Sequence, residues 1–150
     1  VDKRFRSSEF ERLHNALLGL MCIYGVELLK DNAEECRNNL LEVFCSHLKI
    51  QSDSTEAKAA RAVLAVNIVQ GDALSLKDHE GEPIVFAEWA YIGKGLFKRR
   101  DFKYDELLQL SSFGEGTLFE SLEADEIFAP VKDYPAMGIP EIAKNVSGTN

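Results

Sequence analysis

With 150 residues and a 45% apolar share, the chain can bury one sizeable core, or form a small domain with an appendage. Its formal net charge of −8 excludes an extended nucleic-acid footprint, because phosphate recognition needs a basic face; no direct nucleic-acid binding is expected. The longest uncharged run of the N-terminal half, residues 16–26, is too short to cross a bilayer.

Residues 2–31 read as helical. Phe5, Phe10, Leu13, Leu17, Leu20, Tyr24 and Leu28 follow steps of three to five, with a break near His14-Asn15 as an alternative. Asn32, with Glu35 three residues on, offers a capping-box start for a second helix. Cys36, Leu40, Val43, Phe44, His47 and Leu48 then recur at the spacing of one helical face. After the polar turn at Ser52–Thr55, a third helix is marked by Ala60, Val63, Leu64, Asn67 and Ile68 and ends before Gly71. Residues 1–70 are thus predicted to be an antiparallel helical domain. Cys22, Cys36 and Cys45 fall within these patterns and read as free buried thiols, and no C-x-x-C pair signals zinc.

The pattern changes at Gly71. Leu74 and Leu76 alternate with polar residues, and residues 78–83 form a turn-rich hinge. Over 84–130 the apolar residues step by five: Phe86, Tyr91, Leu96; then Phe97, Phe102, Leu107; then Leu108, Phe113, Leu118; then Leu122, Ile127. That period is neither helical nor extended and suits a solenoid. Residues 131–150, with Pro135, Gly138, Pro140 and Gly148, read as a loop or a disordered terminus. The fold class expected is α+β: antiparallel helices, then a degenerate solenoid or a small β region.

Several blocks carry a resemblance. Arg4-Phe5-Arg6, Ile23-Tyr24 with Glu27 and Leu28, the corner at Asp31–Glu34, Val43-Phe44-Cys45 with Leu48 and Lys49, and Ala60, Val63 and Leu64 resemble a known helical domain. It precedes pentapeptide repeats in bacterial, often membrane-tethered, proteins, and the likeness covers residues 2–68. Gly95 before Phe97, Ser111 before Phe113 and Gly116 before Leu118 resemble degenerate pentapeptide repeats. Arg100, Asp105, Glu120 and Asp125 depart from them by placing charge where a small inward residue belongs. The resemblance implies a short pentapeptide-type β-solenoid over 84–130. It also implies a non-catalytic scaffold that binds another protein on the cytoplasmic side, with any membrane tether in a preceding segment.

Lys94, Lys98, Arg99, Arg100 and Lys103 put five positive charges within ten residues of an acidic chain. They are the candidate contacts for an acidic protein partner or an anionic membrane surface; solvated turn faces are the alternative. His79, between Asp78 and Glu80, is the one candidate proton or weak metal site. Cys45 and His47 are two apart and do not share a helical face, so they make no nucleophile pair. Trp89, Tyr91, Phe97 and Phe102 read as core rather than as an exposed patch. No catalytic residue, metal ligand or cofactor is assigned, and an enzyme is not expected. Two other classes stay open: an acidic DNA mimic that inhibits a DNA-binding enzyme, and a small enzyme built on the 78–82 hinge. Oligomeric state is left open.

Overall fold

The computed structural model describes residues 3–106, 108 and 129–145. Helix α1, Lys3–Met21, runs without interruption through His14-Asn15 and buries Leu17, Leu20 and Met21. The helix expected to continue to residue 31 does not form. Gly25–Glu27 is a short strand, β1, because Gly25 and β-branched Val26 are poor helix formers and a partner strand lies alongside. Helix α2, Lys30–Leu48, starts earlier than the Asn32 capping box predicts. Leu29 is its N-cap, without a side-chain bond, and Asn32 lies inside the first turn. Its buried face is narrow: Phe44 and Ala33 are buried, whereas Val43 and His47, expected in the apolar stripe, are exposed.

Helix α3, Thr55–Asn67, is the centre of the fold. Ser54 caps it, its Oγ accepting from the Ala57 N–H at 3.2 Å. Ala57, Ala59, Ala60, Ala62, Val63 and Leu64 are all buried, and their small side chains let neighbours approach closely. The chain then passes directly into strand β2, Ile68–Asp72. β2 pairs in parallel with β1, Gly25 opposite Ile68, and antiparallel with β3, Lys77–Asp78. Gly71 is required within β2, where it pairs with Asp78, since a Cβ there would lie 2.7 Å from the Lys77 carbonyl oxygen.

Strands β4, Val85–Gly93, and β5, Leu96–Lys103, form an antiparallel hairpin. Its turn takes positive φ at Gly93, Lys94 and Gly95. Gly95 also packs where a Cβ would meet Phe10 at 3.1 Å and His14 at 3.2 Å. The class is α+β, as expected. The step of five does not build coils here: Phe86 faces Phe102 and Tyr91 faces Phe97 across the hairpin, because the Gly-rich turn folds the chain back on itself. Among the described residues no coil of solenoid type occurs. Residues 107 and 109–128 of the expected repeat segment, with Phe113, Leu118, Leu122 and Ile127, lie outside the described residues.

Residues 131–145 of the segment expected as a loop or disordered terminus are instead structural. Strand β6, Lys132–Asp133, extends the hairpin sheet, and Met137 exchanges two backbone bonds with Phe97, at 2.7 and 2.8 Å. Helix α4, Ile139–Lys144, starts with Pro in its first turn and buries Ile139 and Ile142. One buried cluster joins Leu17, Met21, Phe44, Val63, Leu64 and Ile68 to Phe97, Met137 and Ile142. The boundary expected at residue 70 therefore does not separate two cores. Among the described residues, no helix is long and apolar enough to cross a membrane.

Candidate interaction cleft

Hydrogen bonding on β5 settles which way the hairpin edges face. Arg99 C=O accepts from the Tyr134 N–H (3.0 Å), Asp101 C=O from the Val131 N–H (2.8 Å), and Phe97 bonds Met137. The odd residues of β5 thus turn toward β6. Lys98, Arg100 and Phe102 turn toward β4, opposite Ala90, Glu88 and Phe86. By alternation, Val85, Ala87 and Trp89 direct their backbone groups to the other side of β4. No described strand covers that side, since β4 is terminal in its sheet. β1 is terminal in the other sheet.

Between these two edges lies a cavity of about 520 Å³. Gly25 and Val26 line it from β1, and Phe86, Ala87 and Glu88 line it from β4. Tyr24, Ala73 and Tyr104 complete it. The Tyr24 hydroxyl donates to Ala87 C=O at 2.6 Å, so one tyrosine side chain spans the gap. Phe86 is buried at the floor. It meets Tyr24 edge-to-face at 5.3 Å and Tyr104 at 5.0 Å. Glu88 is exposed, and both its carboxylate oxygens accept from Arg100, at 2.8 and 3.1 Å. Glu27, Asp72 and Asp105 each stand one residue from a lining residue.

Burial raises the Tyr24 phenol above its ordinary value of 10.0, and electrostatic interaction with Cys22 and Glu88 adds to this. A raised phenol favours the neutral form in the fold. The associated stability is therefore intact below pH 10.0 and is lost as pH rises through the folded value. The Tyr134 phenol is raised too, first by burial and then by its bond to Asp101. An ultraviolet titration is expected to show late-ionising tyrosine, and Tyr24→Phe should remove part of that late component. An unchanged profile in Tyr24→Phe would sink the assignment.

The five basic residues singled out from sequence do not gather into one patch. Lys94 sits exposed in the hairpin turn. Lys98 pairs with Asp133 and the Tyr134 carbonyl. Arg99 is held by Asp101 at 2.8 Å and lies over the Tyr134 ring at 4.3 Å and the Trp89 ring at 5.4 Å. Arg100 engages Glu88 and lies over Phe102. Strand alternation sends Lys98 and Arg100 to one face of β5, and Arg99 and Lys103 to the other.

His79 is exposed, with its Nε2 3.9 Å from Glu80. It borders a second cleft of about 340 Å³ together with Lys30, Glu34, Arg37 and Asp78. Asp78 Oδ1 already accepts from the Glu80 and Glu82 N–H groups, and Arg37 donates to Ile68 C=O. The thiols are free, but Cys22 is exposed and Cys36 and Cys45 are half-buried, which corrects the expected burial; α1 ends before Cys22. Among the described residues, no group of three or more His, Cys, Asp or Glu is placed to hold a metal ion. Phe97 and Phe102 are buried, and Trp89 and Tyr91 pack against the core, as expected of core aromatics.

Sequence reasoning missed Tyr24, Phe86 and Tyr104 as a cluster, because no spacing rule links residues so far apart. No protein-family model matches the chain, and comparison with curated proteins and with solved structures returns no match.

Proposed function

We propose that the protein is a non-catalytic interaction module that holds an extended segment of a partner protein between β1 and β4. One observation carries this reading: two terminal strands border the same largely apolar cleft, and Ala87 directs its backbone groups into it. An uncovered edge is a template for another strand, and strand addition is a common mode of peptide recognition. The Tyr24 hydroxyl occupies Ala87 C=O in the free protein, and a docked backbone N–H would replace it. Glu27, Asp72 and Asp105 beside the cleft, and the net charge of −8, favour a segment that mixes apolar and basic side chains.

We prefer this reading to an acidic DNA mimic, because the partly exposed Lys98 and Arg100 interrupt a continuous negative surface on the hairpin. It is also preferred to a small enzyme at the hinge, where Asp78 is already engaged by its own turn. The likeness to pentapeptide-repeat proteins agrees with an interaction role, and the docking mode does not depend on it.

Selection from a library of random, displayed dodecapeptides is the test. Selected peptides are expected to perturb the amide resonances of residues 25–27 and 85–89 and to slow hydrogen exchange at Ala87. Ala73 is an exposed residue of the cleft wall, so Ala73→Trp should fill the cleft without touching the core and weaken binding by at least about tenfold, roughly one bulky obstruction's worth. No selected binder, or binders indifferent to Ala73→Trp, would overturn the proposal.

A further inference from the structure

We infer that Tyr24 is an autoinhibitory bar across the cleft: within the docking mode proposed above, the bound segment swings its ring out and takes its place. The hydroxyl donates to Ala87 C=O at 2.6 Å, so the side chain joins the residue before β1 to the free edge of β4. A tyrosine side chain plus one hydrogen bond reaches at most about 9.5 Å, the width of two strand spacings. The gap therefore admits a single extended strand and is too narrow for a helix, about 10 Å across, packed against both edges. A strand running along β4 has to cross the line from the Tyr24 Cα to its hydroxyl. A carbonyl oxygen has two lone pairs, so Ala87 C=O can accept a second bond. The volume of the ring, rather than the occupied acceptor, is what excludes the strand.

Movement is confined to the side chain. Asn67 Nδ2 holds Ile23 C=O at 3.1 Å, and Gly25 pairs with Ile68, so the backbone is anchored on both sides of Tyr24. Solvent can receive the ring, since Tyr24 is 45% exposed and its neighbours Cys22 and Ile23 are exposed as well. Its departure uncovers one side of the buried Phe86, while Tyr104 keeps its edge-to-face contact at 5.0 Å. The vacated space fits an apolar side chain of the docked segment, which restores the lost contact on Phe86. In the free protein the open edge of β4 is thus shielded by a residue of the same chain, which limits unspecific pairing.

A peptide selected as above, whose binding is weakened by Ala73→Trp, is titrated into the wild-type protein and into Tyr24→Phe. Phenylalanine keeps the ring on Phe86 but has no bond to break. Tyr24→Phe is therefore expected to bind roughly fivefold more tightly, one hydrogen bond's worth. In the saturated wild-type complex, the nuclear Overhauser contact between the Tyr24 and Phe86 rings should vanish. A hydroxyl that merely braced the cleft would change the affinity in the opposite direction. Equal or weaker binding by Tyr24→Phe, or a ring contact that survives saturation, would overturn the inference and leave the docking mode standing. A library that yields no cleft binder removes the docking mode, and the bar with it.

Discussion

Replacing Asn67 with alanine is expected to lower stability by about 3 kcal/mol, seen as a fall in melting temperature of roughly 10 °C for a domain of this size. Asn67 is fully buried at the junction of α3 and β2. Its Nδ2 donates to the carbonyls of Met21 and Ile23, each at 3.1 Å, and makes a longer bond to Leu20 C=O at 3.4 Å. Those carbonyls lie at and just beyond the end of α1, where helical partners run out. Its Oδ1 accepts from Trp89 Nε1 at 3.1 Å, which joins the hairpin to the helices. One amide thus closes a helix end, fixes the approach to β1 and orients β4. Alanine would leave several buried groups unmatched at once. Trp89→Phe removes only the last of these bonds and should cost about 1 kcal/mol. Chemical denaturation of both variants is the check, and a loss below about 1 kcal/mol for Asn67→Ala would contradict this role.

Asp101→Ala is expected to be comparably severe, near 3 kcal/mol. The Arg99 and Asp101 side chains are only 13% and 10% exposed and meet through two bonds, at 2.8 and 3.1 Å. The Tyr134 hydroxyl donates to the second Asp101 oxygen at 2.9 Å, and Arg99 stacks on Tyr134. Removing the carboxylate leaves a buried guanidinium without its counter-charge. A double-mutant cycle separates that penalty from the worth of the pair. Adding Arg99→Leu to Asp101→Ala should restore part of the loss, because the stranded charge is gone. If the double variant is less stable than Asp101→Ala alone, the account of a stranded cation fails.

Much of α3 was legible. Ala60, Val63 and Leu64 repeat with the helical period and are buried, whereas Ile68, read as the next turn of the same helix, opens β2. β1 was not legible, because Tyr24 and Leu28 continue the spacing of the preceding helix, while parallel pairing with Ile68 overrides it. The hairpin was hidden by a coincidence of number. Phe86 with Phe102, and Tyr91 with Phe97, are each placed symmetrically about Lys94, the turn residue. Apolar residues mirrored across a turn can mimic a repeat of five when only one strand direction is considered. The helix in the tail was missed because Pro140 and Gly138 signal irregularity, yet proline at a helix start is favourable. The basic run looked like a patch because sequence does not show Asp133 and Tyr134 arriving beside β5. The cleft escaped for a similar reason: it is made by the edges of β1 and β4, which lie far apart in the chain.

The backbone exchange between Phe97 and Met137 sets an order on synthesis. The ribosome delivers α1, α2 and α3 before the hairpin, but the apolar surface around Val63 and Phe97 is not sealed until Met137, Ile139 and Ile142 have emerged. Until then the growing chain carries an open hairpin edge beside an incomplete core, the combination most prone to wrong pairing. Among the described elements, α4 is therefore the one whose arrival closes the shared core.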